Sequence, residues 1–201
     1  MRALVPLVFL FAAPARAQVP PSAGDVTAEF RVFAGHEEIT ATTRLRVMPT
    51  GKRERVTAVA QGPHPSATLA PGIYDVQAFR MRQDAVVGIR WAERLVVMQY
   101  PDEGGRHLEV INFEPNFGAL QLRAAHGEMR AYEVAAFPAG DRTTPSGSPV
   151  RGSDYVLFVL PAGQYDIRVR HAAAPDAEDT HWLLDVEVPA DRTRMKQIDV
   201  P

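Results

Sequence analysis

One octapeptide occurs twice in this chain. Leu69-Ala70-Pro71-Gly72-Ile73-Tyr74-Asp75-Val76 returns as Leu160-Pro161-Ala162-Gly163-Gln164-Tyr165-Asp166-Ile167, and a Trp follows each Tyr by 17 residues, at Trp91 and Trp182, the only two tryptophans present. A repeat at fixed spacing fixes architecture before any local signal does. The match extends over nearly the whole of both copies. Phe30 to Gly35 aligns with Leu122 to Gly127, Val47-Met48-Pro49-Thr50-Gly51 with Ala136-Phe137-Pro138-Ala139-Gly140, Leu95 and Val97 with Val186 and Val188, and His107 to Val110 with Gln197 to Val200. Offsets drift only where connections differ, as loops permit.

The hydrophobic period within each copy is two. Tyr165, Ile167 and Val169 alternate with Asp166, Arg168 and Arg170; Trp182, Leu184, Val186 and Val188 alternate with Leu183, Asp185 and Glu187. That is strand patterning with one buried face. Short runs separated by Pro-Ala-Gly, Pro-Thr-Gly and Glu-Gly-Gly predict sandwiches of roughly six or seven strands per copy, and no amphipathic helix. The fold class expected is all-β, with two tandem Ig-like or prealbumin-like β-sandwich domains from an internal duplication. Residues 26–114 and 115–201 are the two repeats. The link through Pro115 is too short for a free tether, so the sandwiches are expected end to end with restricted relative motion.

The start of the chain reads as a leader. Arg2 supplies a positive n-region, Ala3 to Ala13 an apolar h-region, and Ala15-Arg16-Ala17 a small-x-small cleavage site. Residues 1–17 are expected to be a signal peptide and 18–25, with Pro20-Pro21, a flexible lead-in. The apolar run is shorter than a bilayer span of about 20 residues, and no other stretch is long enough, so no transmembrane segment is expected in the mature chain. Cysteine is absent; an exported fold without disulfides rests on its apolar cores, and a lipid anchor on cysteine is not expected. The cations are nearly all Arg, the flavour of a GC-rich bacterial genome, so the expected destination is the periplasm or beyond. Net charge is −2, from 22 Lys and Arg against 24 Asp and Glu, and scattered cations give no case for nucleic acid.

The motif Leu160 to Val169, with its trailing Trp and closing strand, resembles bacterial Ig-like and prealbumin-like sandwich repeats, including carboxypeptidase-regulatory-like and PEGA-type domains. It is most similar to tandem repeats found beside von Willebrand factor A domains in exported bacterial proteins. The resemblance covers Val26 to Val200 and implies attachment or interaction modules. No Asp-x-Ser-x-Ser metal motif of the von Willebrand domain occurs. The first copy departs from the pattern at Phe79, whose parity faces solvent.

Motif residues have local roles. Gly72 and Gly163 are expected in tight turns that favour positive φ. Tyr74 and Tyr165 are expected to face inward and bond a nearby backbone group through the hydroxyl, as in a tyrosine corner. Asp75 and Asp166 take the opposite parity and are expected on the outer face, paired with Arg. Trp91 and Trp182 are expected as core packing, with a sugar platform as the alternative.

The densest polar group is His171, Asp176, Glu178, Asp179 and His181, weak candidates for a metal because their spacing matches neither an EF-hand nor a zinc signature. His36, His64, His107 and His126 are isolated. Enzyme signatures are missing: there is no Cys nucleophile, Ser146-Gly147-Ser148 lies in a loop and not on a nucleophile elbow, no phosphate-binding Gly loop precedes a helix, and Glu37-Glu38 and Asp102-Glu103 are adjacent loop carboxylates. No enzyme activity and no cofactor are expected. The function expected is non-catalytic binding or scaffolding in the bacterial envelope through a protein partner docked on a sheet edge. A carbohydrate-binding module using Trp91, Phe79 or Tyr100 is the alternative, and a hydrolase with an unrecognised site the remote one.

Overall fold

The computed structural model describes residues 24–98, 106–173 and 180–200. The leader 1–17, most of the lead-in, Tyr100, Asp102, Glu103, Asp176, Glu178 and Asp179 lie outside the described residues. Regular structure is β-strand, with two single-turn 3-10 segments at Thr40–Thr42 and Met129–Ala131 and no α-helix among the described residues. The chain is all-β.

The strands are β1 (Val26–Ala34), β2 (Glu37–Glu38), β3 (Thr43–Pro49), β4 (Ala58–Gln61), β5 (Ser66–Leu69), β6 (Gly72–Arg82), β7 (Ala85–Val97), β8 (Arg106–Asn112), β9 (Phe117–Ala124), β10 (Tyr132–Pro138), β11 (Val156–Pro161), β12 (Gly163–His171), β13 (Thr180–Val188) and β14 (Thr193–Ile198). In the first half, β1 pairs antiparallel with β2 and β5 and parallel with β8, while an antiparallel sheet runs β4-β3-β6-β7. In the second half the sheets run β11-β9-β14, with β9 and β14 parallel, and β10-β12-β13. An isolated bridge from Val150 to Val134 stands where β4 stands on β3.

Alternation explains which side chains fill each core. Phe30, Val32, Leu45, Val47, Val76, Leu95 and Ile111 belong to one buried cluster; Leu120, Leu122, Val134, Ile167, Val169, Val186 and Ile198 belong to another. Each such side chain contributes about 2 kcal/mol on leaving water. The parallel registers, Phe30 opposite Glu109 and Leu122 opposite Lys196, align Ile111 with Ile198, both buried. The match of His107–Val110 to Gln197–Val200 drawn from the sequence therefore slips by three residues: burial of the two isoleucines sets the register, and similar short β patterns do not.

The halves meet face to face, not end to end. Parity turns Phe33 of β1, Val110 of β8, Ala119 of β9 and Leu157 and Val159 of β11 away from their own cores, and these five form a third apolar cluster between the halves. His36 Nδ1 bonds the Val159 carbonyl at 3.0 Å, and the Val110 N–H donates to Thr193 Oγ1 at 2.8 Å. The Arg192 guanidinium donates to the carbonyls of Glu93 and Arg94 at 2.7 and 3.2 Å, and Arg90 pairs with Asp191. With the β1 and β9 sheets in contact, the β3–β6 and β10–β12 sheets turn outward.

Candidate functional site

Each octapeptide builds the same knot. Tyr74 Oη donates to the Ala70 carbonyl and Tyr165 Oη to the Pro161 carbonyl, both at 2.8 Å, and burial raises the pKa of both phenols. Tyr74→Phe should cost about 1 kcal/mol, the worth of one internal hydrogen bond, read as a shift in the urea midpoint at constant slope. Neither Gly72 nor Gly163 adopts positive φ, contrary to expectation. Each begins a strand, and at Gly72 the constraint is the Tyr74 ring, whose Cε2 would lie 3.3 Å from an added Cβ. Positive φ falls instead in the Pro-x-Gly turns, at Gly51 (+76°) and Gly140 (+83°).

Asp75 and Asp166 point away from the cores, yet both are 3% exposed. Each faces a bulge. Tyr74 pairs with Leu95 but Val76 with Ala92, and Tyr165 with Val186 but Ile167 with Leu183. An extra residue thus opposes each Asp, and Arg94 (φ 56°) and Asp185 (φ 51°) take left-handed backbone there. A bulge leaves an amide without a ladder partner; Asp75 Oδ1 accepts the Arg94 N–H at 3.0 Å, and Asp166 Oδ1 accepts the Asp185 N–H at 3.2 Å. The other carboxylate oxygens accept from Gly51 N–H and Gly140 N–H, both at 3.4 Å. Thr50 Oγ1 adds a bond to Asp75 at 3.0 Å and Arg142 Nε one to Asp166 at 3.2 Å. Burial, the largest influence on Asp75, raises its pKa; the Arg94 amide, the Thr50 hydroxyl, the Gly51 amide and the Arg53 charge outweigh it and hold the carboxyl below the ordinary aspartate value. For Asp166 the Asp185 amide leads, and with Arg142 and Gly140 it depresses the pKa against burial.

The bulges also reverse parity along β7 and β13. Trp182 faces outward opposite Arg168, Leu183 faces inward opposite Ile167, and Leu184 is 52% exposed. Trp182 and Leu184 do share a face, the outer one, but the expectation that Val186 shares it fails because one inserted residue flips every side chain before it. Both tryptophans are half-buried on outer faces. Arg53 lies over Trp91 at 4.3 Å from the ring centroid and Arg142 over Trp182 at 5.1 Å, with Phe137 5.3 Å from the second indole. They are neither core plugs nor bare platforms. The signal for this was present: Pro49-Thr-Gly-Lys-Arg53 and Pro138-Ala-Gly-Asp-Arg142 share Pro-x-Gly-x-Arg, and the Arg falls on both Asp and Trp. Phe79 likewise faces outward, beneath Arg46 at 5.0 Å.

Of the weak metal candidates, His171 accepts the Ala173 N–H at 3.3 Å and meets Tyr132 edge-on at 5.5 Å, while His181 is exposed opposite Val169. Their three carboxylate partners lie outside the described residues, and no group of three His, Asp or Glu suited to a metal occurs among the described ones. His107 Nε2 bonds Glu109 Oε1 at 2.9 Å, both buried.

An open edge marks β7. It is the last strand of its sheet, and no described strand pairs with its outer edge. Its first residues, Ala85 to Ile89, carry no charge, and Val86, Val87 and Ile89 are 51%, 55% and 56% exposed. β3 begins opposite Arg80, which pairs with Gly88, so the hairpin from Met81 to Val87 overhangs the sheet. A cavity of about 590 Å³ lies beneath it, lined by Ile39, Ala41, Thr42, Met81 and Val87 among others. Beyond Ile89 the edge is guarded by Arg90, Glu93 and Arg94 and by the bulge, the usual protection of a sheet border.

No family model matches the chain, and no curated protein sequence matches it. Among solved structures it is similar to a DUF3823 family protein from Parabacteroides merdae, at 11% identity over 86% of this chain and 100% of that one, with a TM-score of 0.33. It is similar to the tip fimbrial protein Mfa3 from Porphyromonas gingivalis, at 9% identity over 88% and 95%, with a TM-score of 0.32. It is also similar to the Bacillus anthracis TIE protein, at 12% identity with a TM-score of 0.31; the match covers 87% of this chain but 34% of that one, so the chain spans about a third of its length. These likenesses assign no role.

Proposed function

We propose that the protein is a non-catalytic binding protein of the bacterial envelope, exported by the leader 1–17 and built from two tandem Ig-like or prealbumin-like sandwich repeats, 26–114 and 115–201. Paired sheets around separate cores, the duplicated Tyr–Asp–Arg–Trp knot and the common parallel closure of first and last strands support the duplication. Binding is by strand addition to the Ala85–Ile89 edge of β7. The observation that carries this reading is that edge: unpaired, uncharged and studded with half-exposed valines, where the middle of the same strand, Arg90 to Arg94, is guarded. A partner strand laid there gains main-chain hydrogen bonds and side-chain burial together.

A photo-reactive residue at Val87, in the protein expressed in its native envelope, should give one discrete adduct, and Val86→Lys should abolish it. The same probe at Leu184, equally exposed in the second half, should give none. Val86→Lys should shift stability by less than about 0.5 kcal/mol, as surface substitutions do. An adduct that survives Val86→Lys, or none at Val87, sinks the reading.

A further inference from the structure

The net charge of −2 conceals an uneven surface. The registers of the β4-β3-β6-β7 sheet place two rows on its outer face, Gln61-Arg44-Phe79-Ile89 and Val59-Arg46-Gln77-Trp91. Neither row contains a carboxylate. Arg44 and Arg46 are exposed, and among the described residues neither has an ion-pair partner; Arg46 lies over the Phe79 ring. Val59 and Ile89 are 48% and 56% exposed on the same face.

The second half is an internal reference. Its equivalent rows are Glu133-Arg170-Thr180 and Ala135-Arg168-Trp182. Where the first half has Arg44 beside Phe79, the second has Glu133 beside Arg170, ion-paired, with Arg151 on the same carboxylate at 3.3 Å. One outer face therefore commits these positions to an internal ion pair. The other leaves two guanidinium groups facing solvent.

We propose that the outer face of the β4-β3-β6-β7 sheet binds a linear acidic polysaccharide, its carboxylates held by Arg44 and Arg46 and its sugar rings lying against the exposed Val59 and Ile89. A guanidinium stacked on a ring keeps its N–H edge outward, the geometry that grips a carboxylate. Alternate residues of a strand stand about 7 Å apart, so one extended chain with repeated charges reaches both. An acidic peptide fits less well, because β3 and β6 have both edges paired and offer no main-chain groups. Single-stranded nucleic acid needs open aromatic faces for its bases, whereas Phe79 and Trp91 each carry an arginine.

The test is affinity electrophoresis and titration calorimetry of the purified protein with polygalacturonate, with dextran as the uncharged control. Polygalacturonate should bind, more weakly as salt rises, and dextran should not. Arg44→Gln with Arg46→Gln should weaken binding by about 100-fold, at roughly tenfold for each charge-assisted contact, with the urea midpoint unchanged. If that variant unfolds, Arg44→Glu with Phe79→Arg, which rebuilds the ion pair of the second half, should fold and bind no polygalacturonate. The proposal is overturned by failure of the wild type to bind, by equal binding of dextran, by binding that survives loss of both arginines, or by polyglutamate or a single-stranded oligonucleotide binding as tightly as the glycan.

Discussion

Asp75→Ala should destabilise the first half by about 3 kcal/mol, among the larger effects of any single substitution outside the cores. The carboxylate is 3% exposed and ties three segments together. It accepts the Arg94 amide of the β7 bulge, the Thr50 hydroxyl and the Gly51 amide of the turn after β3. Alanine leaves the bulge amide without its acceptor and Arg53 with one anionic neighbour in place of two. The dependence on pH has a definite sign. The folded-state pKa lies below the ordinary aspartate value, so the stabilisation is fully present above that ordinary value, about 4, and is lost as pH falls through the lower folded value. Urea midpoints from pH 7 to pH 2.5 should fall less steeply for the Asp75→Ala variant than for the wild type, so that the gap between the two curves narrows toward the acid end. Asp166→Ala should act in the same direction on the second half, since the Asp185 and Gly140 amides and Arg142 make the same contacts there. Parallel curves for wild type and Asp75→Ala would show that the carboxylate does not hold the bulge.

What the sequence made legible and what it hid divide along a physical line. Period-two alternation and turn residues are local, and they exposed the all-β class and the inward Tyr74 and Tyr165. A bulge is local too, but it adds one residue without any change of composition, so Trp182-Leu183-Leu184-Asp185-Val186 reads as unbroken alternation until Asp166 is seen to face two residues. That insertion, made once in each half, moved both indoles from the expected core to the outer face and gave the buried Asp75 and Asp166 their amide partners. Contacts between elements distant in sequence were not legible. Phe33 looks like one more apolar residue of β1, and only the folded chain shows that it packs with Val110 of the neighbouring β8 against Ala119, Leu157 and Val159 across the junction of the halves. Arg44 and Arg46 vanish in a balanced charge count, because their exposure depends on which residues β4, β6 and β7 lay beside them.

Gly118→Ala should cost about 3 kcal/mol through steric conflict, the upper range for overpacking. An added Cβ would stand 1.9 Å from the Pro189 carbonyl oxygen, 2.9 Å from its carbon and 3.1 Å from Val188 Cγ1. The carbonyl cannot readily withdraw, because hydrogen bonds fasten its turn to β9 on both sides of the glycine: the Asp191 N–H donates to the Phe117 carbonyl at 2.8 Å and the Ala119 N–H to the Arg192 carbonyl at 2.9 Å. The equivalent position in the first half is Val26, which pairs with Leu69 as Gly118 pairs with Leu160, and which is fully buried. The two sites should therefore respond with opposite size dependence: at Val26 a smaller side chain leaves a cavity, at Gly118 a larger one meets backbone. The damage at Gly118 should also reach the first half, since the displaced turn carries Asp191, paired with Arg90, and Arg192, which donates to the Glu93 and Arg94 carbonyls of the β7 bulge. Hydrogen exchange should quicken in β9 and β14 and, with them, at Glu93 and Arg94, while the β1–β5 ladder keeps its protection. An unchanged urea midpoint would mean that the turn does not cross β9 at this glycine, and faster exchange confined to β9 and β14 would mean that Asp191 and Arg192 do not couple the halves.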